Sequence, residues 1–132
     1  MADSLSIDVR VHYPDCDPMG VVHHGVYPLW FEQARTELLR STGVAYADLE
    51  AEGLFMVVID LKVRYLKPAR YDQLVQVTAR CTRAKGVRIE HEYEVRHEGL
   101  ILATGSTTLA CLDAEGRPRQ IPESIGTVPQ RN

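Results

Sequence analysis

The sequence has few cysteines and none of the spacings that cysteine-based sites require. Cys16, Cys81 and Cys111 are an odd number, and no two of them form a Cys-x-x-Cys pair. A disulfide framework or a structural zinc site needs cysteines paired at suitable spacings. The sequence therefore predicts reduced thiols and no structural metal.

The sequence also lacks an excess of basic residues and any long apolar run. Its 15 lysines and arginines against 18 aspartates and glutamates give a net charge of -3. This balance gives no field suited to a phosphate backbone, so we expect no nucleic-acid partner. No stretch approaches the roughly 20 apolar residues of a transmembrane helix, and the acidic N-terminal segment has no apolar core typical of a secretory signal. We expect a cytoplasmic protein without a transmembrane segment.

The length of 132 residues fits one domain with a substantial core. The sequence contains no internal repeat, no low-complexity segment and no interior linker. We therefore predict a single domain over residues 1–132. Only the tail after about residue 122 is expected to be loosely ordered, because it contains Gly126 and Pro129 and ends in polar residues.

Hydrophobic periodicity predicts five β-strands and one long helix. Alternating apolar and polar residues predict strands over residues 5–13, 55–66, 74–83, 87–97 and 100–112. Apolar residues recur at helical spacing over residues 26–42, and Gly43 is a natural helix terminator. A second, short helical stretch is predicted over residues 46–52.

This order of elements predicts an α+β fold, in which a five-stranded antiparallel sheet wraps around one long central helix. The four strands after the helix are expected to follow one another as a meander, with tight turns at Lys85-Gly86 and Glu98-Gly99. Residues 100–103 are apolar on both faces of their strand. One helix can bury only one of these two faces. We therefore expect a partner subunit on the edge or the face of the sheet.

The segment from residue 13 to residue 35 carries a more specific pattern. It reads YPDCDPMGVVHHGVYPLWFEQAR, with an aromatic residue, a D-x-D pair, a glycine, a short apolar pair and an aromatic residue at the helix start. This pattern resembles the 4-hydroxybenzoyl-CoA thioesterase and Tol-Pal-associated acyl-CoA thioesterase family, which has the hotdog fold. The matching residues are Tyr13, Asp15, Asp17, Gly20, Val21, Val22, His24, Tyr27, Glu32, Ala34 and Arg35. Residues 65–70 are similar to the family as well.

The resemblance implies that the protein hydrolyses an acyl-CoA thioester to a free carboxylic acid and coenzyme A. It implies a homodimer or homotetramer whose site lies at a subunit interface. The family pattern places the catalytic carboxylate at Asp17 and a second participant at His24. Coenzyme A is then part of the substrate, and no separate cofactor is expected.

Elementary chemistry supports these roles independently. Thioester hydrolysis needs an attacking oxygen and stabilisation of the charge that forms on the carbonyl oxygen. Asp17 can attack directly or deprotonate a water, and the sequence leaves both possibilities open. Unpaired N–H groups at the helix start, near His24 and Gly25, suit the carbonyl oxygen. Pro28 has no N–H, so a helix running from His24 would leave the His24 carbonyl unpaired, and regular helix is expected to begin near Gly25.

The remaining candidates are less specific. An aspartate in a Pro-rich turn is ordinarily an Asx-turn former or a helix cap. We predict that Val22 and Tyr27 bind substrate. Lys85 and Arg88 lie at a hairpin, where charged residues are usually only solvated, and they are candidate contacts for the phosphates of coenzyme A.

Two other functions stay open. A hotdog hydratase or dehydratase acts on enoyl or hydroxyacyl thioesters, but the spacing from Asp17 to His23 does not reproduce the acid and histidine pair of those enzymes. A non-catalytic acyl-CoA-binding module is the other. Adjacent histidines rarely converge on one metal ion, and His91 shares its strand face with apolar residues, so no metal site is expected.

Overall fold

The computed structural model describes residues 3–126, which form one antiparallel sheet and a long helix packed against it. The strands are β1 (Ser4–Arg10), β2 (Phe55–Tyr65), β3 (Leu74–Lys85), β4 (Arg88–His97) and β5 (Leu100–Leu112). The helices are α1 (Tyr27–Ser41), α2 (Tyr46–Ala51) and α3 (Glu123–Gly126), and 3₁₀ turns cover Tyr13–Asp15 and His24–Val26. The predicted fold class is confirmed. None of the helices in this range is long and apolar enough to cross a membrane.

The strands lie in the order β1-β3-β4-β5-β2, and every neighbouring pair is antiparallel. Strands β3, β4 and β5 form the predicted meander. The prediction was wrong for β2, which pairs with β5 at one edge of the sheet instead of with β3. The connection over residues 66–73 includes Pro68 and makes no tight hairpin. It crosses three strand spacings, roughly 14 Å, at the end of the sheet.

The inner face of the sheet buries alternate residues of β3 and β4 against α1. The buried residues of these two strands are Val75, Val77, Ala79, Cys81, Ala84, Ile89, His91, Tyr93 and Val95. The buried α1 residues are Tyr27, Trp30, Phe31, Ala34 and Leu38, at the spacing of one helix face. The Phe31 ring lies against the backbone of Gly105, where an added Cβ would overlap the ring and lie 2.8 Å from the Lys62 carbonyl oxygen. The Phe31 ring stacks on Tyr93, with ring centroids 4.3 Å apart.

Several predicted boundaries differ from the observed ones, most of them by one or two residues. Strand β1 ends at Arg10, because the chain enters a 3₁₀ turn that contains Pro14. Regular α-helix begins at Tyr27, after the 3₁₀ turn, with Pro28 in its first turn. The predicted loose tail was wrong for residues 123–126, which form α3, because Ile125 is buried in the core. The rest of that prediction, residues 127–132, lies outside the described residues.

The two faces and two edges of the sheet differ in polarity. The outer face is polar and carries ion pairs between Arg80 and Glu92, at 2.6 Å, and between Arg96 and Glu94, at 2.8 Å. The β2 edge carries exposed apolar side chains: Val58, Ile59, Leu61 and Tyr65. Within residues 3–126, no strand pairs with the far side of β2. The backbone groups of this edge are therefore available to another strand.

Candidate active site

The loop that follows β1 is closed by short backbone contacts. Cys16 and Val22 form an isolated antiparallel bridge. The Asp17 N–H donates to the Val21 carbonyl at 2.9 Å, and the Gly20 N–H donates to the Asp17 carbonyl at 2.9 Å. Gly20 has a φ of 80°, a conformation that glycine adopts without strain. The loop therefore holds Asp17 at a fixed place beside the start of α1.

The two aspartates of the D-x-D pair have different environments. The Asp15 carboxylate accepts the His12 N–H at 2.9 Å and shapes the loop. Asp17 Oδ1 accepts the Met19 N–H at 2.8 Å, which is the Asx turn expected of an ordinary turn aspartate. The second oxygen of Asp17 has no hydrogen-bond partner among residues 3–126. Asp17 thus shapes its turn with one oxygen and leaves the other free.

The helix start offers fewer free donors than the sequence predicted. The Gly25 N–H donates to Nδ1 of His23 at 2.9 Å, and the Val26 N–H donates to the His23 carbonyl at 3.0 Å. The expectation of an unpaired Gly25 N–H was therefore wrong, because the His23 ring caps it. The His24 N–H has no acceptor in the described part of the chain. It is the free donor at this helix start.

The His24 carbonyl is satisfied by a residue that the sequence analysis did not include in the site. The Tyr65 hydroxyl, at the end of β2, donates to this oxygen at 2.7 Å. Pro28 supplies no N–H, and regular α-helix begins after His24, at Tyr27, close to the predicted start near Gly25. The missing Pro28 N–H was at most a weak signal of a distant donor, because this exposed oxygen can also pair with water. Nothing in the sequence showed which residue it was.

One pocket of about 330 Å³ joins most of these residues. Its lining is Asp17, Val21, Val22, His24, Tyr27, Tyr65, Leu66, Lys67 and Pro68. Four of the seven predicted site residues therefore meet here, and Gly25 lies beside them at the helix start. Lys67 is the lining cation, and the sequence analysis did not single it out.

The structure does not bring Lys85 and Arg88 to this pocket. They face each other at the β3–β4 turn. The pocket lies near the end of β2, where Tyr65 pairs with Ala103, and Ala103 in turn pairs with Val95 near the end of β4. Within one chain, the two basic residues are thus at the opposite end of the sheet.

The pocket contains two neutral hydroxyls and one carboxylate. Burial raises the pKa of the Tyr27 hydroxyl, which a hydrogen bond with the Ala69 backbone partly offsets. Burial also raises the pKa of the Tyr65 hydroxyl. Both tyrosines are therefore protonated hydrogen-bond donors near neutral pH. Among the lining residues, Asp17 is the acidic group, and residues 3–126 contain no cluster of three or more metal-binding side chains.

The fold and the pocket together define the class of protein. A five-stranded antiparallel sheet packed around one long helix, with an open pocket at the helix N-terminus, is the arrangement of hotdog proteins. Residues 19–104 match the thioesterase superfamily, which is more than half of the chain. The chain belongs to this superfamily and is a thioesterase.

Several named thioesterases are similar to this protein over nearly the whole chain. The acyl-CoA thioester hydrolase YbgC of Escherichia coli O6:H1 is 34% identical over 119 residues, covering 89% of each chain. The acyl-CoA thioesterase YbgC of Haemophilus influenzae is 34% identical over 125 residues, covering 93% of this chain and 92% of that protein. The crystal structure of a DHNA-CoA thioesterase from Staphylococcus aureus aligns with a TM-score of 0.86 and 34% identity, over 89% of this chain and 80% of that one.

Proposed function

We propose that the protein hydrolyses an acyl-CoA thioester to a free carboxylic acid and coenzyme A. The observation that carries this proposal is the pocket shared by the Asp17 carboxylate and the start of the helix with the free His24 N–H. The names of the relatives, which specify acyl-CoA, support the substrate class.

In the proposed reaction, one water and one thioester yield one acid and one thiol. The free oxygen of Asp17 attacks the thioester carbonyl carbon, or removes a proton from the water that attacks it. The carbonyl oxygen accepts the His24 N–H while negative charge forms on it. One such donor contributes about 2.7–4 kcal/mol in other enzymes. The carbon–sulfur bond then breaks and the thiolate leaves. After direct attack, water hydrolyses the acyl-aspartyl anhydride and frees Asp17. In both routes the proton that this water gives up ends on the sulfur as free coenzyme A.

We propose that a second copy of the chain completes the pocket. The pocket is open to solvent, and β2 combines an unpaired edge with exposed apolar side chains. Because the outer face of the sheet is polar and ion-paired, edge pairing through β2 is favoured over stacking of two sheet faces. The result is a homodimer, or a homotetramer built from such dimers.

The contacts to coenzyme A follow from this arrangement. Lys67 lines the pocket in the same chain and supplies a cation for a phosphate. Lys85 and Arg88 lie too far from the pocket of their own chain, so they contact a phosphate of coenzyme A only in the pocket of a neighbouring subunit. Val22 and Tyr27 form the apolar wall against the acyl group. A cytoplasmic location and the absence of a separate cofactor stay predictions.

The experiment is release of free thiol from a panel of aromatic, short-chain and longer acyl-CoAs. Asp17→Asn should lower the best kcat/KM by about 10²–10⁴-fold, the usual contribution of a catalytic acid or base. Asp15→Asn is the matched control, because the amide oxygen still accepts the His12 N–H, and its activity should stay within a few-fold of wild type. Undiminished thiol release by Asp17→Asn, or none by the wild-type protein from any acyl-CoA, contradicts the proposal.

The two roles open to Asp17 are separable by isotope labelling. Single turnover in ¹⁸O-labelled water incorporates the label into the Asp17 carboxylate only if an anhydride intermediate forms and hydrolyses at the aspartyl carbon. Mass spectrometry of the peptide that contains Asp17 detects this. Label confined to the released acid fits a general base, and it also fits an anhydride that water opens at the acyl carbon; label in Asp17 identifies the nucleophile.

A further inference from the structure

A second cavity, of about 120 Å³, lies between the C-terminal half of α1 and the sheet. It shares no lining residue with the pocket around Asp17. Much of its wall is apolar, from Leu38, Leu39, Met56, Ile89, Leu109 and Ile125. Arg35 and His91 also line it, and so does Glu32, whose side chain is 63% exposed. The cavity is thus a largely apolar space with a nearly buried cation in its wall and a carboxylate at its solvent-exposed side.

The charge of Arg35 is poorly compensated. Its side chain is only 14% exposed, whereas its ion-pair partner Glu32 is 63% exposed and 3.8 Å away. Its other contact is a hydrogen bond to the Tyr93 hydroxyl at 3.4 Å, and that hydroxyl is already paired with Thr107 at 2.5 Å. Good charge-assisted hydrogen bonds measure about 2.7–2.9 Å. A nearly buried guanidinium normally has a closer anion than this.

His91 is the second unsatisfied group. The residue is 8% exposed, and its Nδ1 has no hydrogen-bond partner among residues 3–126. Burial, followed by the charge of Arg35, lowers its pKa to about 3, so the ring is neutral at physiological pH. A neutral imidazole carries one N–H donor. Buried polar groups without a partner are rare in native proteins and indicate a missing one.

We propose that this cavity binds a small monocarboxylic acid in its anionic form. The guanidinium fork of Arg35 pairs with the carboxylate, the His91 ring supplies a further donor, and the aliphatic wall contacts the carbon chain. A cavity of about 150 Å³ holds benzene, which has six heavy atoms, so a cavity of about 120 Å³ suits acids of up to about four carbons, such as butyrate. The site does not involve Asp17, and it stands whether or not the protein acts on acyl-CoA.

The experiment titrates methyl-labelled protein with butyrate and with butyramide, which has the same shape but no charge. Butyrate should shift the methyl signals of Ile89, Leu109 and Met56 and bind at least about tenfold more tightly than butyramide, since one close charge pair commonly contributes that much. Arg35→Met keeps much of the side-chain stem and should bring the two affinities within twofold. Arg40→Met, which removes an exposed arginine of the same helix, should leave the preference unchanged.

Two further measurements keep the result independent of folding defects in Arg35→Met. Nuclear Overhauser contacts between butyrate and the cavity methyl groups are expected in the wild-type protein. Asp17→Asn should bind butyrate as wild type does, whatever happens to its activity. Equal affinity for butyramide, absence of shifts at the cavity methyl groups, or shifts confined to Val21 and Val22 near Asp17 would each overturn the proposal.

Discussion

Tyr65 is the residue through which the edge of the sheet fixes the start of α1. Tyr65→Phe keeps the ring that packs against Tyr27 and removes only the donor to the His24 carbonyl. A lost hydrogen bond of this kind costs about 1 kcal/mol, and the freed carbonyl loosens the turn that presents the His24 N–H. We therefore expect kcat/KM for the best acyl-CoA to fall about 3- to 10-fold.

The matched control is Tyr71→Phe, an exposed tyrosine whose ring contacts Tyr13. It should retain wild-type kcat/KM and wild-type thermal stability. Equal activities of Tyr65→Phe and Tyr71→Phe would show that the Tyr65 hydroxyl has no part in presenting the helix start.

His91 makes the free energy of unfolding depend on pH. Its pKa is lowered from the ordinary 6.5 to about 3 in the folded protein. Between pH 3 and pH 6.5 the His91 ring is protonated in the unfolded chain and neutral in the folded protein. The free energy of unfolding therefore falls as the pH falls below 6.5. The histidine contributes about 1–2 kcal/mol of the loss between pH 7 and pH 5.

Urea unfolding of wild type and His91→Gln at pH 7 and pH 5 measures this term. The loss on acidification should be smaller in His91→Gln by about 1–2 kcal/mol. His97→Gln, at the partly exposed end of the same strand, controls for the simple loss of a histidine and should behave as wild type does. Identical losses in His91→Gln and wild type would contradict the prediction.

At the scale of the elements, the contact between α1 and β5 depends on the missing side chain of Gly105. A Cβ at this position would overlap the Phe31 ring and crowd the Lys62 carbonyl. Gly105→Ala should therefore destabilise the protein by about 1–3 kcal/mol, as overpacking of a core does. Ser106→Ala, the next residue of the strand, should change stability by less than about 0.5 kcal/mol. Chemical denaturation compares the two, and equal stabilities would show that Phe31 moves aside without cost.

Local patterns predicted the elements well, and long-range contacts account for what they missed. The alternation of Val75, Val77 and Ala79 identified the buried face of β3, because a half-buried strand repeats every two residues. The place of β2 at the far edge was not predicted, since pairing with β5 depends on a crossover rather than on a tight turn. Gly43 ends α1 as predicted, with a φ of 95°.

For the candidate site too, the sequence predicted residues that lie in one segment and missed residues that come from elsewhere in the chain. Asp17 and His24 lie in one continuous segment, so its pattern revealed them. Tyr65 and Lys67 enter the pocket from a different strand end, about 40 residues further along the chain. The capping of Gly25 by the His23 ring depends on a side-chain rotamer, which no spacing rule gives.

At the scale of the whole molecule, the exposed apolar edge of β2 predicts self-association. Ile59→Lys places a charge among side chains that a second copy would cover, and strand edges with such charges resist pairing. The variant should sediment as a monomer and lose most thioesterase activity, because its pocket stays incomplete. Analytical ultracentrifugation and thiol release measure the two effects.

Asp8→Lys is the control, since Asp8 is exposed on β1 at the opposite edge of the sheet. It should keep the wild-type sedimentation and activity. A wild-type protein that is active as a monomer would contradict the proposed interface, and so would an Ile59→Lys protein that still associates.

The hydrogen bond from Tyr65 to the His24 carbonyl makes positions 28 and 65 thermodynamically dependent on each other. A proline at position 28 removes the N–H that would pair with that oxygen if α-helix ran from His24, and the tyrosine hydroxyl donates to it instead. In a chain with alanine at position 28, the backbone supplies its own donor and the hydroxyl becomes redundant. We therefore expect the effect of Tyr65→Phe on stability to be smaller in a Pro28→Ala background than in the wild-type chain, which chemical denaturation of the two single variants and the double variant measures.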